Sequence, residues 1–245
     1  MKTLATLLIM TIALSAFAQD NAMPVSSFKK IVTSPKIKLV LKKGDKESVR
    51  ITALNVDASQ VNVVVKGNKL HIYLDDARYL EQNVKIWEEG YKWKRSMYSD
   101  ASVTAYVTYK ELKSVEMRGE ERLICEEEIV AEKFKLRLYG RTEVRLASLK
   151  TGKLKATMYG ENMLRIKAGT TGHQKYTLYG ENLIDVTGVE SRTAATTVYG
   201  EGRVAMNVLE EVRLNAFGEP LISVDGPAHV SKGIVIGRVG IRSGF

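Results

Sequence analysis

The 245-residue sequence is poor in the groups that make covalent staples, metal centres and membrane spans. It holds one cysteine and three histidines, and beyond residue 18 no apolar run approaches the ~20 residues of a transmembrane helix. A single thiol, Cys125, closes no internal disulfide, so stability must come from burial and backbone pairing. His71, His173 and His229 are scattered and match neither a zinc-ligand spacing nor a histidine-based triad. No glycine-rich phosphate loop and no nucleophile elbow occurs. These gaps argue against an enzyme and call for no cofactor. Recognised nucleic-acid modules are missing too, so nucleic acid is not an expected partner.

One short apolar run is present. Lys2, the stretch Leu4 to Phe17 and the small-residue pattern Ala16-Phe17-Ala18 form a secretory signal, residues 1–18, with the mature chain expected to start at Gln19. No cysteine follows the run to take a lipid, so the expected product is exported without an anchor, to the periplasm, the outer-membrane surface or the medium. The formal charge of +9 is uneven. Residues 19–114 carry 17 Lys/Arg against 11 Asp/Glu, whereas residues 115–245 carry 19 against 17, so attraction for acidic partners concentrates in the N-terminal part.

What the chain has in place of these is a repeat. Glycines 119, 140, 160, 180, 200, 218 and 237 follow one another at intervals of 21, 20, 20, 20, 18 and 19 residues, most of them after an aromatic residue. Two residues before each glycine stand Met117, Leu138, Met158, Leu178, Val198, Ala216 and Val235; four and six residues after stand pairs such as Leu164 and Ile166 or Ile184 and Val186. Cys125 occupies one of these apolar places, which predicts a buried thiol. Period-two alternation on both sides of a glycine predicts strand, tight corner, strand, each with one face buried. A unit of ~20 residues is too short for a propeller blade and fits one coil of a right-handed parallel β-helix, a single-stranded solenoid.

Residues 19–114 read as β structure without the repeat. Ile37, Leu39 and Leu41 alternate, and Val61, Val63 and Val65 join Leu70, Ile72 and Leu74 through Gly67-Asn68 as a hairpin. This region is expected to cap the helix formed by 115–245, or to supply irregular early coils. Residues 76–102 alternate poorly and are expected to leave the sheet as a short helix or a long hairpin tip. Both tryptophans lie there, with Trp87, Tyr91 and Trp93 set among Lys92, Lys94 and Arg95. Aromatic rings beside cations suit carbohydrate or an acidic polymer, or alternatively the closure of a core end.

Stacked coils would align Tyr139, Tyr159, Tyr179, Tyr199 and Phe217 in one column, either a structural ladder or a flat platform for sugar rings or an apolar partner. Beside it run Glu120, Arg141, Glu161, Glu181, Glu201 and Glu219. Like charges one coil apart need splaying, cations such as Arg165 or Arg203, or a metal; Glu161, Glu181 and Glu201 with the amides of Asn162 and Asn182 would be the oxygen donors for a hard cation. Asp185 and Asp225 have no obvious partners in the sequence.

The order of features resembles the putative auto-transporter adhesin head GIN domain family. The matching residues are Phe28-Lys29-Lys30-Ile31-Val32, Gly67-Asn68-Lys69-Leu70-His71-Ile72, Leu112-Lys113-Ser114-Val115-Glu116-Met117, the glycine corners, and Gly226-Pro227-Ala228-His229-Val230. The resemblance implies a β-helical fold and an adhesin-like role with no catalytic residues to assign. Where the family usually carries Gly-Ser-Gly at its corners, this chain has Tyr-Gly-Glu or Tyr-Gly-Arg. The expected function is a non-catalytic envelope protein that binds a cell-surface glycan or an envelope protein, with self-association through an uncapped last coil near Gly237 to Phe245. The alternatives are a carbohydrate-active β-helix enzyme and a purely structural envelope protein.

Overall fold

The computed structural model describes residues 22–80, 82–88 and 91–243. The signal segment read over 1–18 lies outside them. Nearly everything described is strand, arranged as a β-solenoid of about six turns at roughly 20 residues per coil. Five strands each run a whole coil: Arg122–Gly140, Glu143–Gly160, Met163–Tyr179, Asn182–Gly200 and Gly202–Gly218. Each pairs in parallel with the next, so Tyr139 lies beside Tyr159, Tyr159 beside Tyr179, and Tyr179 beside Tyr199. The ladder skips Ala147 and Gly152, which divides that coil into runs at 143–146, 148–151 and 153–160.

Alternation decides what fills the interior. Val144, Leu146, Leu149, Leu154, Ala156 and Met158 of one coil are all buried, and Cys125 is 1% exposed. The corner glycines are a backbone requirement. Gly160 has φ of 105°, and a Cβ there would sit 2.2 Å from the carbonyl oxygen of Gly140 in the coil above. No side chain fits so close an approach.

The solenoid does not begin at residue 115. Ser114–Gly119 lies in parallel register on Lys30–Thr33, and Leu123 to Cys125 on Leu39 to Leu41 of the strand Ile37–Lys43. Residues 30–43 are therefore an irregular coil whose corner is Ser34-Pro35-Lys36, with Lys36 at φ of 71° in place of a glycine. A further layer follows in the same sense: Lys69–Leu74 pairs in parallel with Lys30–Thr33, and Ser102–Tyr109 with Ile37–Lys43. Both flanks then turn antiparallel, through Val61–Lys66 on one side and Ser48–Leu54 on the other, and Met23–Pro24 adds a last edge to Ser48–Leu54. The N-terminal region thus supplies both early coils and a cap, in one sheet with the repeats.

Residues 76–102 contain a hairpin, not a helix. Asn83–Glu88 and Tyr91–Ser96 form a separate two-stranded sheet. The segment connects Lys69–Leu74 to Ser102–Tyr109 as Ser34-Pro35-Lys36 connects the layer below, so the hairpin is an insertion in the column of corners.

Candidate functional site

The corner edge gathers most residues singled out from the sequence. Coils in register place one aromatic ring per turn, and the rings of Tyr139, Tyr159, Tyr179, Tyr199 and Phe217 stack at centroid distances of 5.2, 4.5, 4.8 and 4.7 Å with planes within 7° of parallel. The Arg118 guanidinium caps the stack 4.4 Å from the Tyr139 ring and lies 5.6 Å from Tyr79, which links the ladder to the start of the inserted segment. Each inner ring spends its faces on its neighbours. The row therefore offers solvent its edges and hydroxyls, and a platform of open ring faces is not presented. Crowded against its neighbours, Tyr179 has its hydroxyl pKa raised by desolvation, then by the Tyr159 and Tyr199 hydroxyls.

In the hairpin, Trp87 is paired with Lys92 and Ile86 with Trp93, so cross-strand register sends the two tryptophans to opposite faces. Trp87 is 66% exposed and Trp93 48%. Lys92 Nζ sits 4.2 Å from the centre of the Trp87 ring, and Lys85 and Lys94 alternate onto the same face. Arg95 lies on the other face and is turned to the hairpin base, donating to Ser99 Oγ at 2.8 Å and pairing with Asp100. Tyr98 donates to the Asp75 carbonyl at 3.0 Å and fastens the same base. Tyr91 pairs with Glu88 at the tip of the described strands.

The acidic column is also in place. Glu161, Glu181, Glu201 and Glu219 line an open groove of about 630 Å³ together with Arg203. Arg141 meets Glu161 at 2.8 Å, while Arg165 answers Asp185 at 3.2 Å, so Asp185, unpartnered by sequence reasoning, has its partner one coil away. Asn162 and Asn182 are 2% exposed and turned inward. Their amide oxygens accept hydrogen bonds from the coil above, Asn162 from Thr142 and Asn182 from Asn162, which takes them out of any set of solvent-facing oxygen donors. Among the described residues no group of three or more His, Cys, Asp or Glu side chains comes together as a metal cage.

Sequence reasoning passed over two further columns on the flat side leading to the ladder. Lys135, Lys155 and Lys175 lie in register, all exposed, and Thr157, Thr177 and Thr197 run between them and the tyrosines. The signal was available: the lysines stand five residues, and the threonines three, before a corner glycine. His173, beside Lys153 and Lys175, has its pKa lowered by burial first and then by those two charges.

The model of the family described as putative auto-transporter adhesin, head GIN domain, matches residues 27–228. The chain belongs to this family. No curated protein matches it in sequence. Among solved structures, this GIN-domain chain is similar to a putative adhesin from Parabacteroides merdae ATCC 43184, with a TM-score of 0.66, 16% identity, and 91% of this chain covered against 95% of that one. A putative adhesin from Bacteroides fragilis NCTC 9343 gives 0.66, 16%, 91% and 94% in the same terms. A putative lipid binding protein from Parabacteroides distasonis ATCC 8503 gives 0.60, 14%, 91% and 95%. At these identities the likeness shows a shared fold.

Proposed function

We propose that this GIN-domain chain is an exported, non-catalytic binding protein of the cell envelope whose recognition surface follows the corner edge of the solenoid. One observation carries the reading. The inserted hairpin, with Trp87 and its lysines exposed, grows from the same column of corners as the stacked aromatics. Stacked corners are tied to one another by backbone hydrogen bonds, as from Arg141 N–H to the Gly119 carbonyl and from Glu161 N–H to the Gly140 carbonyl, so the column is held rigid and little ordering entropy is lost when a partner docks. Adhesin membership supports binding to a surface molecule, and a cell-surface glycan or an envelope protein suits exposed tryptophan beside ammonium groups.

The test is a glycan array probed with residues 19–245, alongside a variant in which 83–96 is replaced by a two-residue turn and a Trp87→Ala, Trp93→Ala pair. Glycan binding that both variants lose while their melting temperatures hold supports the reading. Release of sugar fragments from a bound glycan would replace it with the carbohydrate-active alternative, and silence across the array would leave a structural envelope role.

A further inference from the structure

The geometry points to a linear acidic polysaccharide as the ligand of the flat side next to the tyrosine ladder, lying along the solenoid axis with its carboxylates on Lys135, Lys155 and Lys175. The inference rests on the reading of the chain as a binding protein and goes beyond it in naming a second surface and a ligand class. The three lysines follow one another in register at one strand spacing, ~4.8 Å along the axis, which is about the length of one sugar residue. None of the three forms an ion pair among the described residues, although Arg118, Arg137, Arg141, Arg165 and Arg213 all have carboxylate partners. Lys133 and Lys153 extend the cluster on the side away from the ladder. Like charges in such a column repel, and among the described residues the only carboxylate ion-paired with the cluster is Glu132, 3.4 Å from Lys133.

The neighbouring columns select among polyanions. Next to the lysines come the half-exposed hydroxyls of Thr157, Thr177 and Thr197, and next to those the hydroxyl edges of the tyrosines. The strip is thus a set of parallel rows of donors, ammonium then hydroxyl then phenol, suited to a chain that alternates carboxylate and hydroxyl groups. Single-stranded nucleic acid is bound by stacking bases on open aromatic faces, and here those faces are consumed within the ladder. An anionic membrane would want apolar side chains beside the cations to enter it, and threonine occupies that place.

Calorimetric titration of residues 19–245 with polygalacturonate oligomers, and with the same oligomers methyl-esterified to neutrality, tests this. Binding should weaken as salt rises and disappear on esterification. The variant Lys135→Gln, Lys155→Gln, Lys175→Gln should bind about tenfold more weakly with a shallower salt dependence, while its melting temperature stays level or rises as the repulsion is relieved. The hairpin replacement should bind polygalacturonate as the parent does. Unchanged affinity in the lysine variant would overturn the inference, as would equal affinity for the esterified oligomer, for oligo-dT or for phosphatidylglycerol vesicles. A chain that captures glycans on the array yet ignores polygalacturonate overturns this inference alone; a chain that captures no glycan of any kind overturns the binding reading beneath it.

Discussion

Asn162 receives the Thr142 backbone N–H at 3.0 Å and its hydroxyl at 2.8 Å on Oδ1, and its Nδ2 donates to the Tyr159 carbonyl and to Asn182 Oδ1. The bonds to Thr142 and Asn182 are buried, so removal of the amide strands several polar groups away from water at once. Asn162→Ala should cost about 2–3 kcal/mol in a urea unfolding series, whereas Glu181→Ala one corner further on, exposed at the surface, should stay within about 0.5 kcal/mol. His173 makes a different prediction. Its Nδ1 contacts Thr193 Oγ1 at 2.8 Å, and burial with Lys153 and Lys175 holds its folded pKa below the ordinary 6.5. The unfolded chain therefore takes up this proton at higher pH than the folded one, so stability present above about pH 6.5 is lost as the pH falls through the folded value. His71, also held low by burial, acts in the same direction. Denaturant midpoints should fall between about pH 7 and about pH 5.5, and His173→Thr, which copies the residue one coil on, should flatten that slope; an unchanged slope would mean that the site does not titrate as described.

Two features of the coil act at the level of the whole element. In the ladder, each inner ring is held between two others, so Tyr179→Ala opens a gap with two unpartnered faces and should lower Tm by about 3 °C, while Tyr179→Phe keeps the stack and leaves Tm within about 1 °C. At the corner, Gly160→Ala meets the Gly140 carbonyl at a φ that L residues avoid and should cost about 3 kcal/mol or more. Gly67→Ala, also at positive φ but with nothing within 4 Å, should cost about 1 kcal/mol, and circular-dichroism melts on the pair separate steric conflict from backbone preference. These elements were legible because corner glycine and inward apolar residue recur at one interval. The coil over residues 30–43 was legible only as one of two readings, cap or irregular early coil, since Pro35 and Lys36 replace the glycine and residues 44–68 leave for the sheet edge before the chain returns. For the hairpin at 83–96 the sequence leaves short helix and hairpin tip undivided, because a two-stranded sheet with solvent on both faces has no alternation to read. The lysine and threonine columns could have been read with the same ruler, counted backward from each glycine as well as forward.

For the molecule as a whole, burial at any position is a property of the next coil as much as of the residue itself. Val235 occupies the same place relative to its glycine as Met158 and Leu178, and the sequence treats the three alike. Met158 and Leu178 are fully buried because coils lie on both sides, whereas Val235, with no further coil on its outer side among the described residues, is 37% exposed and its neighbour Ile236 62%. Among the described residues the strand His229–Gly237 pairs only with Gly202–Gly218, and Gly240–Ser243 only with Leu221–Asp225. The opposite end is closed by antiparallel edges. In a solenoid, stability is approximately a sum of nearest-neighbour terms, so opening should proceed inward from the C-terminal end and not from the capped one. Hydrogen exchange should then find the amides of 229–243 the first to exchange and those of 143–179 the last, protected close to the free energy of global unfolding. Leu178→Ala in the middle of the stack should cost about 3 kcal/mol, and Val235→Ala less than about 1 kcal/mol because more than a third of its surface was never taken from water. Uniform protection along the chain would mean that a partner covers the exposed strand in solution, and a second copy of the chain could supply it through that same unpaired edge, which sedimentation at rising concentration would register as a dimer.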